Sequence, residues 1–313
     1  MNVLITGGTG TFGQAMVEKL LKEYERGRIV IYSRDELKQH QMIGKFNTKI
    51  ERLRFFVGDV RDVRNLTRAM HNIDIVIHAA ALKQIPSCEY NPWEAVKTNV
   101  QGAWNVINAA IGMGVSKVIA LSSDKAVNPI NCYGATKLVM EKLFINSNTL
   151  GKKITRFSIM RYGNVLGSRG SVIQSFREQR HNKDCLEITD ERMTRFWWTI
   201  EEAVNFTLQA VINMKGGEVF IPKLQSSSLL KLAQTVCPDT PWKETGIRPG
   251  EKINEALVAP DEVKRTIDAE WAYIINPDNP FFTYERDGGN PVAIDFSYTS
   301  DNPLFCTKEF DKI

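Results

Sequence analysis

This sequence predicts a doubly wound α/β fold with a parallel central sheet and a smaller C-terminal region, on three observations. Short β-branched runs alternate with longer helical patterns through the first half of the chain. Most of those runs are nearly continuously apolar, as strands buried on both faces are. A glycine-rich turn joins the first run to the first helix. The length of 313 residues suits one large α/β domain or two smaller ones. A composition 43% hydrophobic and 24% charged belongs to an ordinary globular protein, not to a collagenous, coiled-coil or disordered chain.

Taken in order, strands are predicted at Val3–Thr6, Ile29–Tyr32, Arg54–Val57, Ile73–Ile77, Lys117–Leu121 and Ile154–Met160. Helices predicted at 12–24, 35–44, 62–70, 91–112 and 134–149 are long enough to make the crossovers between parallel strands. This alternation is Rossmann-like, and such sheets bind ligands at the carboxyl ends of their strands. After Met160 the rhythm gives way to a glycine-bearing loop, a polar stretch at His181–Asp184, a helix at about 201–213 and a strand at Glu218–Ile221. The tail from about 275, rich in Pro, Asn, Asp and Gly, reads as loop wrapped on the body. The expected division is a nucleotide-binding part, 1–165, and a mainly substrate-binding region, 166–313, with some segments returning to the first.

Lys plus Arg exceed Asp plus Glu by 40 to 36, a surplus too diffuse to argue for a nucleic-acid partner. Five scattered cysteines, at 88, 132, 185, 237 and 306, form no C-x-x-C pair, so reduced thiols are expected and no metal site. The start MNVLITGG is already a strand entering a glycine turn and lacks a basic signal-peptide region. Apolar runs such as IDIVIHAAAL fall short of a membrane span. A soluble, cytoplasmic protein with no membrane partner is the expectation.

Gly7, Gly10 and Gly13 follow the first strand and open the first helix. They permit a tight turn, close approach of a pyrophosphate and helix-to-strand packing, while the helix N-terminus supplies unpaired N–H donors. A dinucleotide is expected there. At the end of the second strand Ser33 and Arg34 suit a ribose 2′-phosphate, which favours NADP; the alternative is that Asp35 contacts the ribose and Arg34 is merely solvated. Asp59 and Val60, after Gly58, could border the adenine, and Ala79 and Ala80 offer small residues beside the cofactor. His78 reads as a packed, hydrogen-bonded histidine.

Ser122-Ser123-Asp124-Lys125-Ala126 closes the fifth strand, and Tyr133 stands one helical turn before Lys137, so both lie on one face. A nearby ammonium favours phenolate, making Tyr133 a candidate base for a sugar hydroxyl. Together with the glycine pattern, this spacing resembles the short-chain dehydrogenase/reductase superfamily in its extended, nucleotide-sugar-modifying form. Longer strings narrow the resemblance: His78–Pro86, Ser123–Pro129, Met160–Val172, Met193–Phe196 and Ile247–Lys252 are similar to those of the inverting UDP-N-acetylglucosamine 4,6-dehydratases. The likeness runs from residue 1 to about 275. Retaining dehydratases carry Asp-Glu where this chain has Asp124-Lys125, and simple 4-epimerases carry neither.

The resemblance implies that Tyr133 takes the C4 hydroxyl proton as hydride passes to NADP⁺, Lys125 removes the C5 proton, and Asp124 as a neutral acid protonates the departing C6 hydroxyl. Hydride then returns to C6 and C5 is inverted, giving UDP-2-acetamido-2,6-dideoxy-β-L-arabino-hex-4-ulose. A neutral Lys125 beside a neutral Asp124 demands opposing pKa shifts: burial pushes both the required way, Lys137 would add to the push on Lys125, and an ion pair between the two would resist. The resemblance also places Thr11, Phe12, Lys83, Asn99, Ser122 and Val165 along the cofactor. It gives the UDP-sugar Lys83, Ser123, Asn164, the Gly167-Ser168-Arg169-Gly170-Ser171-Val172 stretch, Thr189, Arg195, Arg248 and Glu251. A homo-oligomer is a further family expectation. Gln174 departs from the family, which commonly has Pro there, and only Ile294–Ser300 of the tail can be placed. Trp197-Trp198 reads as a core pair beneath the helix at 201. Other readings of the same residues are a UDP-sugar 4-epimerase, a bifunctional dehydratase/epimerase, or a non-enzymatic NADP sensor.

Overall fold

The computed structural model describes residues 1–150, 154–168, 170–279, 281 and 288–310. Its strands are β1 (Val3–Thr6), β2 (Ile29–Ser33), β3 (Leu53–Val57), β4 (Ile75–His78), β5 (Lys117–Leu121), β6 (Arg156–Met160), β7 (Asn164–Val165), β8 (Leu186–Ile188), β9 (Thr194–Trp198), β10 (Val219–Pro222), β11 (Gln225–Ser228), β12 (Trp242–Glu244), β13 (Thr266–Asp268), β14 (Ala272–Ile275) and β15 (Asn290–Pro291). The helices are α1 (Thr11–Glu23), α2 (Glu36–Lys45), α3 (Val63–Ala69), α4 (Ile85–Tyr90), α5 (Pro92–Ala95), α6 (Gly102–Met113), α7 (Cys132–Asn146), α8 (Val172–Asn182), α9 (Ile200–Asn213) and α10 (Leu229–Val236).

A ten-stranded sheet runs β15-β13-β14-β10-β6-β5-β4-β1-β2-β3. From β10 to β3 every pairing is parallel, and β14, β13 and β15 extend it antiparallel. Strands β1, β2 and β4 are buried at every residue, which is why they lack a polar face in the sequence. Helix α1 packs on α9, while α3, α6 and α7 pack in series. The strand order reverses between β1 and β4, the switch point at which sheets of this kind take ligands in a crevice outside the carboxyl ends of their strands.

The helix expected over 91–112 is interrupted: α5 passes into a π-helical stretch, Val96–Gln101, before α6. Gly102, where the α-helix resumes, lies against Val60, whose Cγ2 a Cβ would meet at 2.6 Å. Helix α7 starts two residues ahead of expectation because the Asn131 side chain caps it, accepting from Gly134 N at 2.7 Å.

Beyond Met160 the chain builds more than its polar sequence suggests. Strand β9 lies between β11 and β7, and β12 pairs with β8. Helices α8 and α10 cover them over a second apolar cluster that includes Ile173, Phe176, Leu186, Trp197 and Leu232. Helix α9 and strands β10, β13, β14 and β15 return to the main body. The adjacent tryptophans divide between the two cores. Trp198 faces the main cluster with Phe206 of α9 at 6.0 Å, as expected of a residue beneath that helix. Trp197 instead joins the second cluster and donates to Ser227 O.

Directly after β6, Arg161 is buried with side-chain exposure of 2%. Its guanidinium donates to both Glu141 carboxylate oxygens on α7, at 3.0 and 2.6 Å, to both Glu262 oxygens at 2.7 and 3.0 Å, and to Leu257 O at 3.0 Å. Removing the cation leaves the buried Glu141 carboxylate without its counter-ion and Glu262 with only Arg265, 3.6 Å away, a loss of about 3–5 kcal/mol. Arg161→Met is therefore expected to lower the unfolding free energy by that amount in urea titration; a change below about 1 kcal/mol would contradict the account.

Candidate active site

The turn after β1 is shaped by steric necessity. Gly7 has φ of +66°, and a Cβ there would lie 3.0 Å from Ala80 Cα. A Cβ on Gly13 would sit 2.5 Å from Gly8 Cα, so the first turn of α1 can nest against the loop only as glycine. Gly10 is the N-cap of α1 and makes no side-chain cap, so the helix presents backbone donors at this end of the sheet. Thr11 and Phe12 begin that helix. Thr6 Oγ1 accepts from Ala79 N and Ala80 N at 3.2 and 3.3 Å and shares a 2.7 Å hydrogen bond with His78 Nδ1. These groups fix the two loops on either side of the crevice. His78 is the packed histidine the sequence suggests, stacked on Phe144 and pushed down to about 3 by burial and then by the Lys137 charge.

At the end of β2, Asp35 caps α2, accepting from Lys38 N at 3.0 Å and pairing with the Lys38 ammonium. The Arg34 side chain remains half-exposed, 3.7 Å from Asp59. Burial pushes Asp59 up, but hydrogen bonds from Arg61 hold its carboxyl below the usual range. Ser33 Oγ accepts from Gln39 Nε2, and Val60 is buried beside Gly102. Asn99, expected along the cofactor, has another use. Its Oδ1 accepts from Leu82 N at 2.8 Å, and its Nδ2 donates to Leu82 O and Thr136 Oγ1, so it anchors the loop bearing Lys83 to α7. Burial pushes the Lys83 ammonium down.

The residues with acid–base chemistry converge past β5. Tyr133 and Lys137 are buried on α7, and Asp124 and Lys125 sit in a 3-10 turn, Asp124–Ala126. Gly134 allows the approach, because a Cβ there would lie 2.1 Å from Lys125 O. Ser123 Oγ donates to Asp124 Oδ1 at 2.8 Å and is also hydrogen-bonded to Tyr133. Lys125 Nζ lies 3.1 Å from Asp124 Oδ1 and 3.1 Å from Glu255 Oε1.

Two electrostatic expectations are corrected. Burial dominates at Tyr133 and raises it, with Asp124, Cys88 and Glu255 adding to the rise and only the Ser123 hydrogen bond opposing; no lowering by Lys137 emerges. Lys137 is itself pushed down to about 8 by burial, and its ammonium donates to Leu121 O at 2.6 Å. Burial likewise pushes Lys125 down, but Asp124 and Glu255 outweigh it and hold the ammonium above its ordinary range; the opposing cation is Arg195, not Lys137.

Glu255 escaped sequence reasoning, since nothing local marks a lone carboxylate that far along the chain. Three contacts bring its segment onto the catalytic turn: Asn131 Nδ2 donates to Gly250 O at 2.7 Å, Lys252 Nζ donates to Val127 O at 2.6 Å, and Glu255 meets Lys125. Arg195 serves the same end. It was expected at a phosphate, but four of its five donors go to Thr194 O, Ile253 O, Lys252 O and Met193 Sδ, which ties the segment to β9. Arg248 is largely exposed, 3.9 Å from Glu251. Tyr298 is buried in the core, its hydroxyl donating to backbone near β10, so this tail residue supports the wall of the region.

Past β6, Asn164 and Val165 form β7, and Gly167 and Gly170 adopt φ of +67° and +71°. Ser171 caps α8 without a side-chain bond and Val172 begins it, a second uncapped helix start. Gln174, in place of the family proline, accepts from Gly170 N at 2.8 Å. Ser168 is half-buried and Thr189 buried; Arg169 lies outside the described residues. Among the described residues, buried polar side-chain atoms with no hydrogen-bond partner include Ser122 Oγ, Asp124 Oδ2, Asn164 Oδ1, Ser171 Oγ and Glu255 Oε2, as well as His78 Nε2, Thr98 Oγ1, Trp198 Nε1 and Asn276 Oδ1. Such atoms are costly unless a ligand or water meets them. Among the described residues no cluster could hold a metal ion, and no helix is long and apolar enough to cross a membrane.

A parallel sheet with a glycine-rich β1–α1 turn and a Tyr-x-x-x-Lys helix defines the extended short-chain dehydrogenase/reductase class. Residues 3–277 match the family described as "Polysaccharide biosynthesis protein", and the chain belongs to it. It is 47% identical to a UDP-N-acetylglucosamine 4,6-dehydratase (inverting) of Campylobacter jejuni subsp. jejuni serotype O:2, over 98% of this chain and 95% of that one. It is 41% identical to a UDP-glucose 4-epimerase of Rickettsia conorii, over 96% and 91% of the two chains. Among solved structures, Pen from Bacillus thuringiensis superposes with a TM-score of 0.87 at 38% identity, covering 96% of this chain and 94% of that one.

The environment of His78 makes stability pH-dependent. Its folded value of about 3 lies below the ordinary 6.5, so below pH 6.5 the unfolded chain takes up a proton that the folded protein refuses. Stability on this account is full above pH 6.5 and falls by about 1.4 kcal/mol per pH unit as pH drops toward 3. A His78→Asn variant should lose that component of the slope between pH 4 and 6. Equal slopes for the two proteins in chemical denaturation would refute the assignment.

Proposed function

We propose that this protein is a UDP-N-acetylglucosamine 4,6-dehydratase that inverts C5, forming a 4-keto-6-deoxy nucleotide sugar for polysaccharide or glycan assembly. The observation that carries the reading is the Asp124–Lys125 pair at the end of β5, beside Tyr133, in a chain 47% identical to an enzyme of that name. Glycine-shaped loops, uncapped helix starts and unpartnered polar atoms suit a bound dinucleotide and a diphosphate sugar.

NADP is the proposed cofactor. Gly7, Gly10, Gly13, Thr11 and Phe12 would hold its pyrophosphate side, Arg34 its 2′-phosphate, and Ala79, Ala80 and Lys137 the nicotinamide side. Asp35 is engaged in capping α2, which supports Arg34 as the selecting residue. When bound, the dinucleotide accepts hydride from C4 of the sugar and returns it to C6. Tyr133 Oη, once its own proton has passed to solvent and left it as phenolate, takes the C4 hydroxyl proton, with Ser123 hydrogen-bonded to the phenol oxygen. Lys125 Nζ takes the C5 proton, made acidic by the adjacent ketone. The Asp124 carboxyl gives its proton to the C6 oxygen, which leaves as water; when C6 regains hydride, C5 takes a solvent-derived proton on the face opposite Lys125, which inverts that centre. Asn164, the Gly167–Val172 loop and Arg248 with Glu251 would bind the UDP. A cytoplasmic homo-oligomer, divided near residue 165 into nucleotide and substrate parts, completes the proposal.

A 4-epimerase is the second reading, favoured by the Rickettsia relative. Incubation with UDP-N-acetylglucosamine and no added cofactor distinguishes the two. A product lighter by one water, with solvent deuterium at C5 and inverted configuration by NMR, is expected; an isobaric product sinks dehydration. Lys125→Ala should reduce turnover at least a hundred-fold. Arg34→Ala should weaken NADP binding about ten-fold or more with little change for NAD, since one charge-assisted contact to the phosphate is lost. Equal effects on both dinucleotides, measured by calorimetry, would overturn the assignment of Arg34.

A further inference from the structure

Lys125 has two carboxylate partners at equal distance, and only Asp124 has a part in the reaction above. The other, Glu255, is 2% exposed and arrives from a segment after β12. Its Oε1 lies 3.1 Å from Lys125 Nζ. Its Oε2 has no hydrogen-bond partner and lies 3.7 Å from Lys252 Nζ. The backbone holds it firmly: Glu255 N donates to Ser300 Oγ at 2.9 Å and Ser300 N donates to Glu255 O at 2.8 Å. A buried carboxylate pinned on both sides and aimed at a partly buried ammonium needs a reason, because taking the carboxylate from water is costly.

We propose that Glu255 is a positioning residue for the Lys125–Asp124 pair, fixing Nζ between two oxygens and setting, by its charge, how many protons the pair carries. This rests on the dehydratase reading. In the resting protein the pair holds one exchangeable proton as ammonium and carboxylate. Moving it from Nζ to Asp124 breaks one N–H bond, forms one O–H bond and yields the base and the acid together. The Glu255 oxygen accepts an N–H from the neutral amine and so turns the nitrogen lone pair away from itself. When the C5 proton arrives on Nζ and Asp124 has released its own with the departing water, the resting charges return.

The field at Lys125 comes from every side: Asp124 on its own turn, Glu255 and Lys252 from the 247–255 segment, Arg195 from β9, and Tyr133 of α7 with Tyr162 beyond Asp124. Of the ionised members that touch Lys125, Asp124 and Glu255 are the anions. Removing the Glu255 charge weakens the hold on protons of the whole pair, which titrates as a unit.

The test is Glu255→Gln, which keeps the shape and removes the charge. The bell-shaped pH profile of kcat should move bodily toward acid by one to three units, with KM within about two-fold. A profile that superimposes on the wild type, whatever its height, overturns the proposal. Glu255→Asp, which keeps the charge but draws the oxygen back by one methylene, should hold the profile nearer the wild type while kcat falls about ten-fold or more; an unchanged kcat again overturns it. Nitrogen-detected NMR of Lys125 Nζ, assigned with Lys125→Arg, follows the same titration without turnover. An acid shift of that signal in Glu255→Gln, in a protein that releases no water from UDP-N-acetylglucosamine, would uphold the coupling and reject the dehydratase reading. An unmoved signal would reject the coupling alone.

Discussion

Arg161 is the joint between the two parts of the chain that must meet. Helix α7, which carries Tyr133 and Lys137, presents Glu141; the segment that follows Glu255 presents Leu257 O and Glu262. One guanidinium with every N–H engaged spans both. Its rigid, planar fork fixes relative orientation as well as distance, which an ammonium could not do. A buried ion cluster of this kind is weak support for stability in itself. Its value here is geometric, because a shift of α7 against the 255–262 segment would move the Glu255 carboxylate away from the phenol and from Lys125.

The electrostatics of the site follow from two effects of opposite sign. Desolvation favours neutral forms throughout the pocket: it lowers Lys137 and His78 and raises Tyr133. Paired carboxylates reverse that preference at one place, Lys125. Two lysines on neighbouring elements are therefore held in different states of readiness. One is a charge that burial is already eroding; the other is a charge that its neighbours retain until substrate alters the balance.

The sequence made the first half of the fold legible because its strands are short, apolar and bounded by glycine or polar turns. The β1–α1 glycines, the Asp124–Lys125 pair and the Tyr133–Lys137 spacing stood out because each signal is local. The second half resisted for a physical reason: α8 is polar with only Ile173 and Phe176 buried, and its strands are short and pair out of sequence, β7 with β9, β8 with β12 and β9 with β11. Periodicity could not reveal the π-helical stretch at Val96–Gln101, since the residues on either side continue a helical pattern. Asn99 and Arg195 look like ligand contacts in the sequence, yet their hydrogen bonds are satisfied by the protein. Glu255 was invisible because its meaning depends on a lysine with which it shares no local pattern.

The contacts that bring the 247–255 segment beside the Asp124–Ala126 turn, Asn131 with Gly250 and Lys252 with Val127, join residues 119 and 125 positions apart. Long-range closures of this kind form late, after local strand and helix pairings have repaid their own entropy. During synthesis the first six parallel strands and their helices can therefore pair while the chain still lacks the carboxylate that completes the surroundings of Lys125. A chain that stopped before this segment would carry the β1–α1 turn and the Asp124–Ala126 turn but lack one of the two carboxylates that meet Lys125.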